Sequence, residues 1–315
     1  MERTNDWRKF ESLGSGASQE QPRQWKGKTG GGKFGQKSLF FILRRMNVAF
    51  LYPILFIVVP FYMLFARKGY LSIMRYFRQC HRMSGWNSFR QTFVNHLLFG
   101  QIVLDKFAAL VGNIRYFTAD ITGQSCLDEL MKKNTGFIVA CSHIGNFELS
   151  GLLYRHQQKK TYALVYDGEN SNLQQVRIEA MRQANIEAVS VCDDMSHLFT
   201  LKNALENGDI ISIPCDRIYG SSKKIKCEFL GREAYFPLAP FRLATQMNVP
   251  VIAFFMMKEK STKYHAYVFP VEPHSEEPDR IKKAEHLAAS FVRSCEDILR
   301  KYPQQWFNFY DFWKL

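Results

Sequence analysis

The seven cysteines of this chain, Cys80, Cys126, Cys141, Cys192, Cys215, Cys227 and Cys295, are odd in number, widely spaced, and never form a C-x-x-C pair. This argues against a disulfide framework and a structural zinc site; it fits reduced thiols, most of them acting as small buried hydrophobes. Also missing are a compact Arg/Lys helix, zinc-knuckle spacing and the aromatic-glycine string of base-stacking modules, so nucleic acid is not an expected partner. Disorder of the chain as a whole is excluded by its 46% apolar and 15% aromatic content.

What is present is a basic chain of 315 residues with a formal charge of +13, long enough for one large or two small domains. Residues 1–45 hold ten Lys/Arg against four Asp/Glu, so +6 lies there and +7 in the remainder. A charge of this sign calls for an acidic partner, and with nucleic acid set aside an anionic membrane surface or an acidic protein is expected. Residues 1–37 read as a mobile, basic, Gly-rich leader. Within it Gly27 to Lys33 fits the P-loop spacing, but Phe34 stands where a magnesium-binding Ser/Thr is needed and no apolar strand precedes.

Val48 to Ala66 (VAFLYPILFIVVPFYMLFA) runs nineteen residues without a charge between Arg44-Arg45 and Arg67-Lys68. That is about the minimum for a bilayer span, while Pro53 and Pro60 favour a kinked, re-entrant or interfacial helix. A buried core helix is the alternative; a cleaved signal peptide is not, because the run starts too far in and ends in Arg-Lys. Residues 38–69 are therefore expected to anchor the protein to a membrane.

From about Arg115 short apolar runs (GFIVACS, YALVY, EAVSV, DIISIP, VPVIAFFMM, YHAYVFPVE) alternate with helical stretches. The alternation predicts an α/β domain over 70–315 whose central mixed, mostly parallel sheet is flanked by helices. Sites in such sheets lie at the carboxyl ends of strands. Two polar stretches fall there: CSHIGNFE after GFIVA, and CDRIYG after DIISIP.

In the first, His143 and Glu148 are five residues apart, which on one continuous helix would point them about 140° away from each other. If His143 instead ends a strand and Glu148 opens a helix, the carboxylate can orient one imidazole nitrogen and leave the other as a general base. A covalent Cys141 intermediate is a further reading, and metal ligation is disfavoured because ligands on one helical face want a spacing of four.

HIGNFE resembles the H-x-G-N-[WF]-E block of the bacterial lipid A late acyltransferase family, part of the wider lysophospholipid acyltransferase group. Asn170-Ser171-Asn172 with Arg182, the run ALENGDIISIPCDRIYG, the run EFLGREAYFPLAPFRLATQMNVPVIAFF and the tail YPQQWFNFYDFW resemble later blocks of that family in order and spacing, over about residues 34–313. Arg217 departs from the family's usual Gln. The resemblance implies a lysophospholipid acyltransferase-like fold and acyl transfer from acyl carrier protein, or acyl-CoA, to a hydroxyl or amine of a lipid or glycolipid at the cytosolic face of the bacterial inner membrane. It implies no cofactor and no metal. His143 would be the base and Glu148 its partner; Gly145 and Asn146 would position groups or stabilise the oxyanion; Arg182, Asp216, Arg217 and Arg232 would meet acceptor or donor phosphate. A membrane thioesterase or lipase, or a non-enzymatic membrane-binding protein, are the competing classes.

Overall fold

The computed structural model describes residues 32–153, 158–165, 171–191, 196–218, 223–273 and 276–314. The leader up to residue 31, most of the P-loop-like run, Asn170 and Cys192 lie outside the described residues.

Four helices come first: α1 (Gly32–Arg45), α2 (Tyr52–Phe65), α3 (Arg67–Gln79) and α4 (Gly85–Leu110). The leader read as mobile to residue 37 is thus helical from Gly32, where Leu39, Phe40 and Leu43 recur at helical spacing and pack inward. Pro53 sits in the first turn of α2, where its missing N–H costs nothing; Pro60 lies inside the helix, which continues through it. The α/β part follows as β1 (Thr118–Thr122), α5 (Gln124–Lys132), β2 (Phe137–Cys141), α6 (Phe147–Leu153), β3 (Thr161–Val165), α7 (Ser171–Gln183), β4 (Ile186–Ser190), α8 (Ser196–Glu206), β5 (Ile210–Pro214), β6 (Lys224–Phe229), β7 (Arg232–Pro237), α9 (Ala239–Met247), β8 (Val251–Lys260), β9 (Lys263–Val271) and α10 (Arg280–Lys301).

Seven strands form one sheet in the order β1-β9-β8-β2-β5-β3-β4, with β6 and β7 a separate hairpin. Every neighbouring pair is parallel except β8 with β9, as the alternating helices require. The central strands are continuous apolar runs because helices cover both faces. Along them alternate residues enter two cores: Ile138, Ala140, Val251, Ala253 and Phe255 meet α3, α8, α9 and α10, while Phe137, Ile252, Phe254 and Met256 meet α1, α4, α5 and α6. The chain end closes the first core, with Trp306 fully buried against Tyr76, Phe229 and Phe312.

Candidate active site

β2 ends at Cys141; the chain bends at His143, bridges to Trp306 through Ile144 and to Met256 through Gly145, and enters α6 at Phe147. Gly145 holds φ +67°, and a Cβ there would lie 2.2 Å from the carbonyl oxygen of Met256 in β8. Glycine is required on both counts: left-handed backbone and close approach. The Gly145 amide donates to the carbonyl of Gln305 at 2.8 Å, the Asn146 amide to that of Met256 at 2.7 Å, and Phe307 N–H to the carbonyl of His143 at 3.0 Å. The segment around Trp306 is therefore a backbone splint for the HIGN loop, and Gln305 fastens it by bonding the amide and carbonyl of Lys258 at 2.9 and 2.7 Å.

Asn146 is buried. Its Oδ1 accepts from the amide of Leu149 at 3.3 Å, capping α6, and its Nδ2 donates to the hydroxyl of Tyr264 at 3.3 Å. With both amides and this side chain committed inward, the geometry of Gly145 and Asn146 fits the positioning role, one of the two expected of them, and leaves neither group free as an oxyanion donor.

The larger correction concerns the partner of His143. Its Nδ1 lies 2.9 Å from Oδ1 of Asp216, and its own amide donates to Oδ2 of the same carboxylate at 2.8 Å. Asp216 was expected at a phosphate; instead it is the group that orients the ring. The pairing follows from register: β2 and β5 are adjacent and parallel with Cys141 level with Pro214, so two residues further on His143 stands level with Asp216. Burial by itself would raise the Asp216 carboxyl, but attraction to His143, its hydrogen bonds with that ring and amide, and the charge of Arg217 outweigh this and hold it below its ordinary value. An ionised carboxylate only accepts, so Nδ1 is the nitrogen that carries a proton toward Asp216, and in the neutral ring Nε2 is the nitrogen with the lone pair.

Glu148, expected at that nitrogen, opens α6 elsewhere. Lys106 of α4 reaches its two carboxylate oxygens at 2.9 and 2.8 Å, and Arg177 of α7 stands 3.9 Å away. Burial works against ionisation here too, and the two cations, with a smaller part from His143, overcome it and lower the carboxyl's pKa. Glu148 thus acts on His143 through its field and by anchoring α6, not through a hydrogen bond. Lys106 and Arg177 were missed in the sequence because neither neighbours a motif.

The four residues expected around phosphate are not brought together. Arg182 lies at the last turn of α7, where its carbonyl accepts from Asn185 N–H beside the amino ends of β3 and β4, the opposite end of the sheet from His143. Arg232 donates to Gln79 at 2.6 Å and lies over Trp313. Arg217 alone adjoins the dyad, donating to the carbonyl of Phe307 at 3.3 Å with its Nε buried and unbonded. Cys141 is fully buried, and that burial pushes its thiol up to about 12, which removes the thiolate a covalent route needs. Among the described residues no group of three or more His, Cys, Asp or Glu could hold a metal ion.

An oriented, partly exposed imidazole with a buried carboxylate behind it, at the carboxyl edge of a parallel sheet, suits removal of a proton from an incoming nucleophile. Residues 101–315 match the family described as bacterial lipid A biosynthesis acyltransferase. Among solved structures, the 1-acyl-sn-glycerophosphate (LPA) acyltransferase PlsC from Thermotoga maritima is similar at 16% identity, covering 74% of this chain and 95% of that chain, with a TM-score of 0.35. Among curated proteins no match is found. Since the matched segment is more than half of the sequence and includes the dyad, the chain belongs to the bacterial lipid A biosynthesis acyltransferase family and is an acyltransferase.

Proposed function

We propose that the protein moves a fatty acyl chain from acyl carrier protein, or from coenzyme A, onto a hydroxyl or amine of a lipid or glycolipid such as a lipid A precursor. The observation that carries this reading is the His143–Asp216 pair, with Nδ1 2.9 Å from the carboxylate and Nε2 left as acceptor. Nε2 takes the proton of the acceptor as its oxygen or nitrogen adds to the thioester carbonyl. Asp216 stabilises the imidazolium that results, and that proton serves the departing thiolate when the tetrahedral adduct collapses. No acyl-enzyme forms on Cys141. Residues 70–315 carry the chemistry and 38–69 the membrane anchor, with the catalytic side toward the cytosol.

Lipid mass spectrometry of cells with and without the gene should reveal one species lighter by an acyl chain in the deletion. With purified enzyme, labelled acyl carrier protein should release its chain only when lipid acceptor is added; full-rate release without acceptor would instead identify a thioesterase. Cys141→Ala is expected to keep its transfer rate in the same assay, because a buried neutral thiol has no part in the chemistry.

A further inference from the structure

Among the described residues two stretches are long and apolar enough to cross a membrane, Val48–Phe65 and Gly85–Leu110. Three observations decide against either doing so. First, α2 has fourteen residues, and at about 1.5 Å per residue it reaches about 21 Å against a hydrocarbon core of about 30 Å. The turn before it does not lengthen the span: Val48 is buried in the body, and Asn113 Nδ2 donates to the carbonyls of Leu43 and Met46 at 2.6 and 3.0 Å.

Second, both ends of α2 return to the same globular body. Ahead of it Leu43 is fully buried, and Tyr52 donates its hydroxyl to Asp105 at 2.5 Å. Behind it α3 sinks Ile73, Tyr76 and Phe77 into the main core, and Tyr76 donates to the carbonyl of Pro303 at 3.1 Å. Third, α4, the helix α2 packs on, is itself a core element. Asn95 donates from it to the carbonyls of Gln304 and Trp306 at 2.8 and 2.9 Å, and Asp105 bonds Lys258 at 2.5 Å.

The contact between the two helices centres on Leu55, Val59 and Met63 against Leu97, with Gly100 giving Leu55 room to close, and is flanked by Phe56 against the Phe93 ring and Tyr62 against the His96 ring. Away from that contact α2 is apolar and outward: Ile54, Ile57, Val58, Phe61, Leu64 and Phe65 are exposed, Phe65 to 86%, and Phe50, Trp86 and Phe89 are further exposed aromatics of the N-terminal helices. A surface of this size on one side of a body calls for an apolar phase. Its charge says which phase. From Gln21 to Leu104 the chain has thirteen Lys/Arg and no Asp/Glu, so the whole net charge of +13 belongs to this stretch and the remainder of the protein is close to neutral.

We propose that α2 lies flat in the headgroup–acyl boundary of an anionic bilayer, its outward face in lipid, with the residues before it and the catalytic body on the same side of the membrane. The proposal refines the membrane-anchoring part of the reading above and rests on it. An interfacial helix of this kind binds through its apolar area and through basic residues drawn to anionic lipid.

Protease sites placed in the full-length protein ahead of Gly32 and after Leu315 test the topology in sealed inside-out membrane vesicles. Cleavage of both from the same face is expected; cleavage of one with protection of the other means α2 spans and overturns the proposal. In flotation, the protein should bind phosphatidylglycerol vesicles and lose binding to phosphatidylcholine vesicles and in high salt. The triple variant Ile57→Ser, Phe61→Ser, Leu64→Ser should bind at least about tenfold more weakly with an unchanged melting temperature. Undiminished flotation of that variant would equally overturn the proposal. Neither measurement reads turnover, so loss of the acyl-transfer reading and loss of this one are distinguishable.

Discussion

Alanine at position 143 is expected to lower acyl transfer by about 10²–10⁴-fold while leaving the melting temperature and vesicle binding near those of the parent. The side chain is 22% exposed, packs against the Phe147 ring at 5.7 Å, and its backbone bonds to Asp216 and Phe307 survive the change. Asp216→Asn separates the two carboxylates. An amide can donate to Nδ1, which moves the ring proton to Nε2 and removes the base, a change worth about 10⁴ in the Ser-His-Asp triad of proteases. Glu148→Gln leaves Nδ1 on Asp216 and removes a field and the ion pairs with Lys106 and Arg177, so its loss should be far smaller than that of Asp216→Asn. Equal losses would restore Glu148 as the orienting group. Because the Asp216 carboxyl is held below its ordinary value of about 4, its stabilisation of the fold is complete above that pH and lost as pH falls through the folded value. Asp216→Asn should therefore flatten this part of the acid-unfolding profile.

Lys258→Met is expected to destabilise the protein by about 3–5 kcal/mol, measured as a fall in melting temperature on the order of 10 °C. Lys258 Nζ stands 2.5 Å from Asp105 with both side chains out of solvent, 2% and 0% exposed. Tyr52 donates to the other oxygen of Asp105, and Tyr264 donates to the same carboxylate. Removing the cation leaves a buried anion with two phenols for company. The double variant Asp105→Leu, Lys258→Met should recover most of the loss, since the penalty comes from the uncompensated charge rather than from the pair's own attraction. Failure to recover would mean that the phenols need the carboxylate more than the carboxylate needs the lysine. The cluster also bears on the site: Tyr264 accepts from Asn146, and the backbone of Lys258 is gripped by Gln305, whose carbonyl takes the Gly145 amide. Transfer activity of Lys258→Met should accordingly fall below the activity of the parent even at temperatures where it remains folded.

The HIGNFE block, the alternation of short apolar runs with helical ones and the charge-free run at Val48–Ala66 were all legible along the chain. Each is a local matter of period, turn residues and composition, and these carry the α/β class, the strand end that bears the site and the apolar face that wants lipid. The identity of the carboxylate behind His143 was not local. Five positions on, Glu148 looked like the partner; 73 positions on, Asp216 is the partner, because β5 lies beside β2 although β3 and β4 intervene in the chain. Strand order arises from burying the whole set of apolar runs at once, and no single segment encodes it. Arg182 against Arg177 is the same lesson on one helix, where a few residues separate the carboxyl edge of the sheet from its amino edge. Only packing, likewise, turns an apolar run of spanning composition into a helix pinned at both ends to one body. Local pattern by itself determined an α/β domain with a histidine just past a strand end and a long charge-free apolar run; tertiary structure decided which acid holds that histidine, because contacts across a sheet depend on the ordering of elements far apart in sequence.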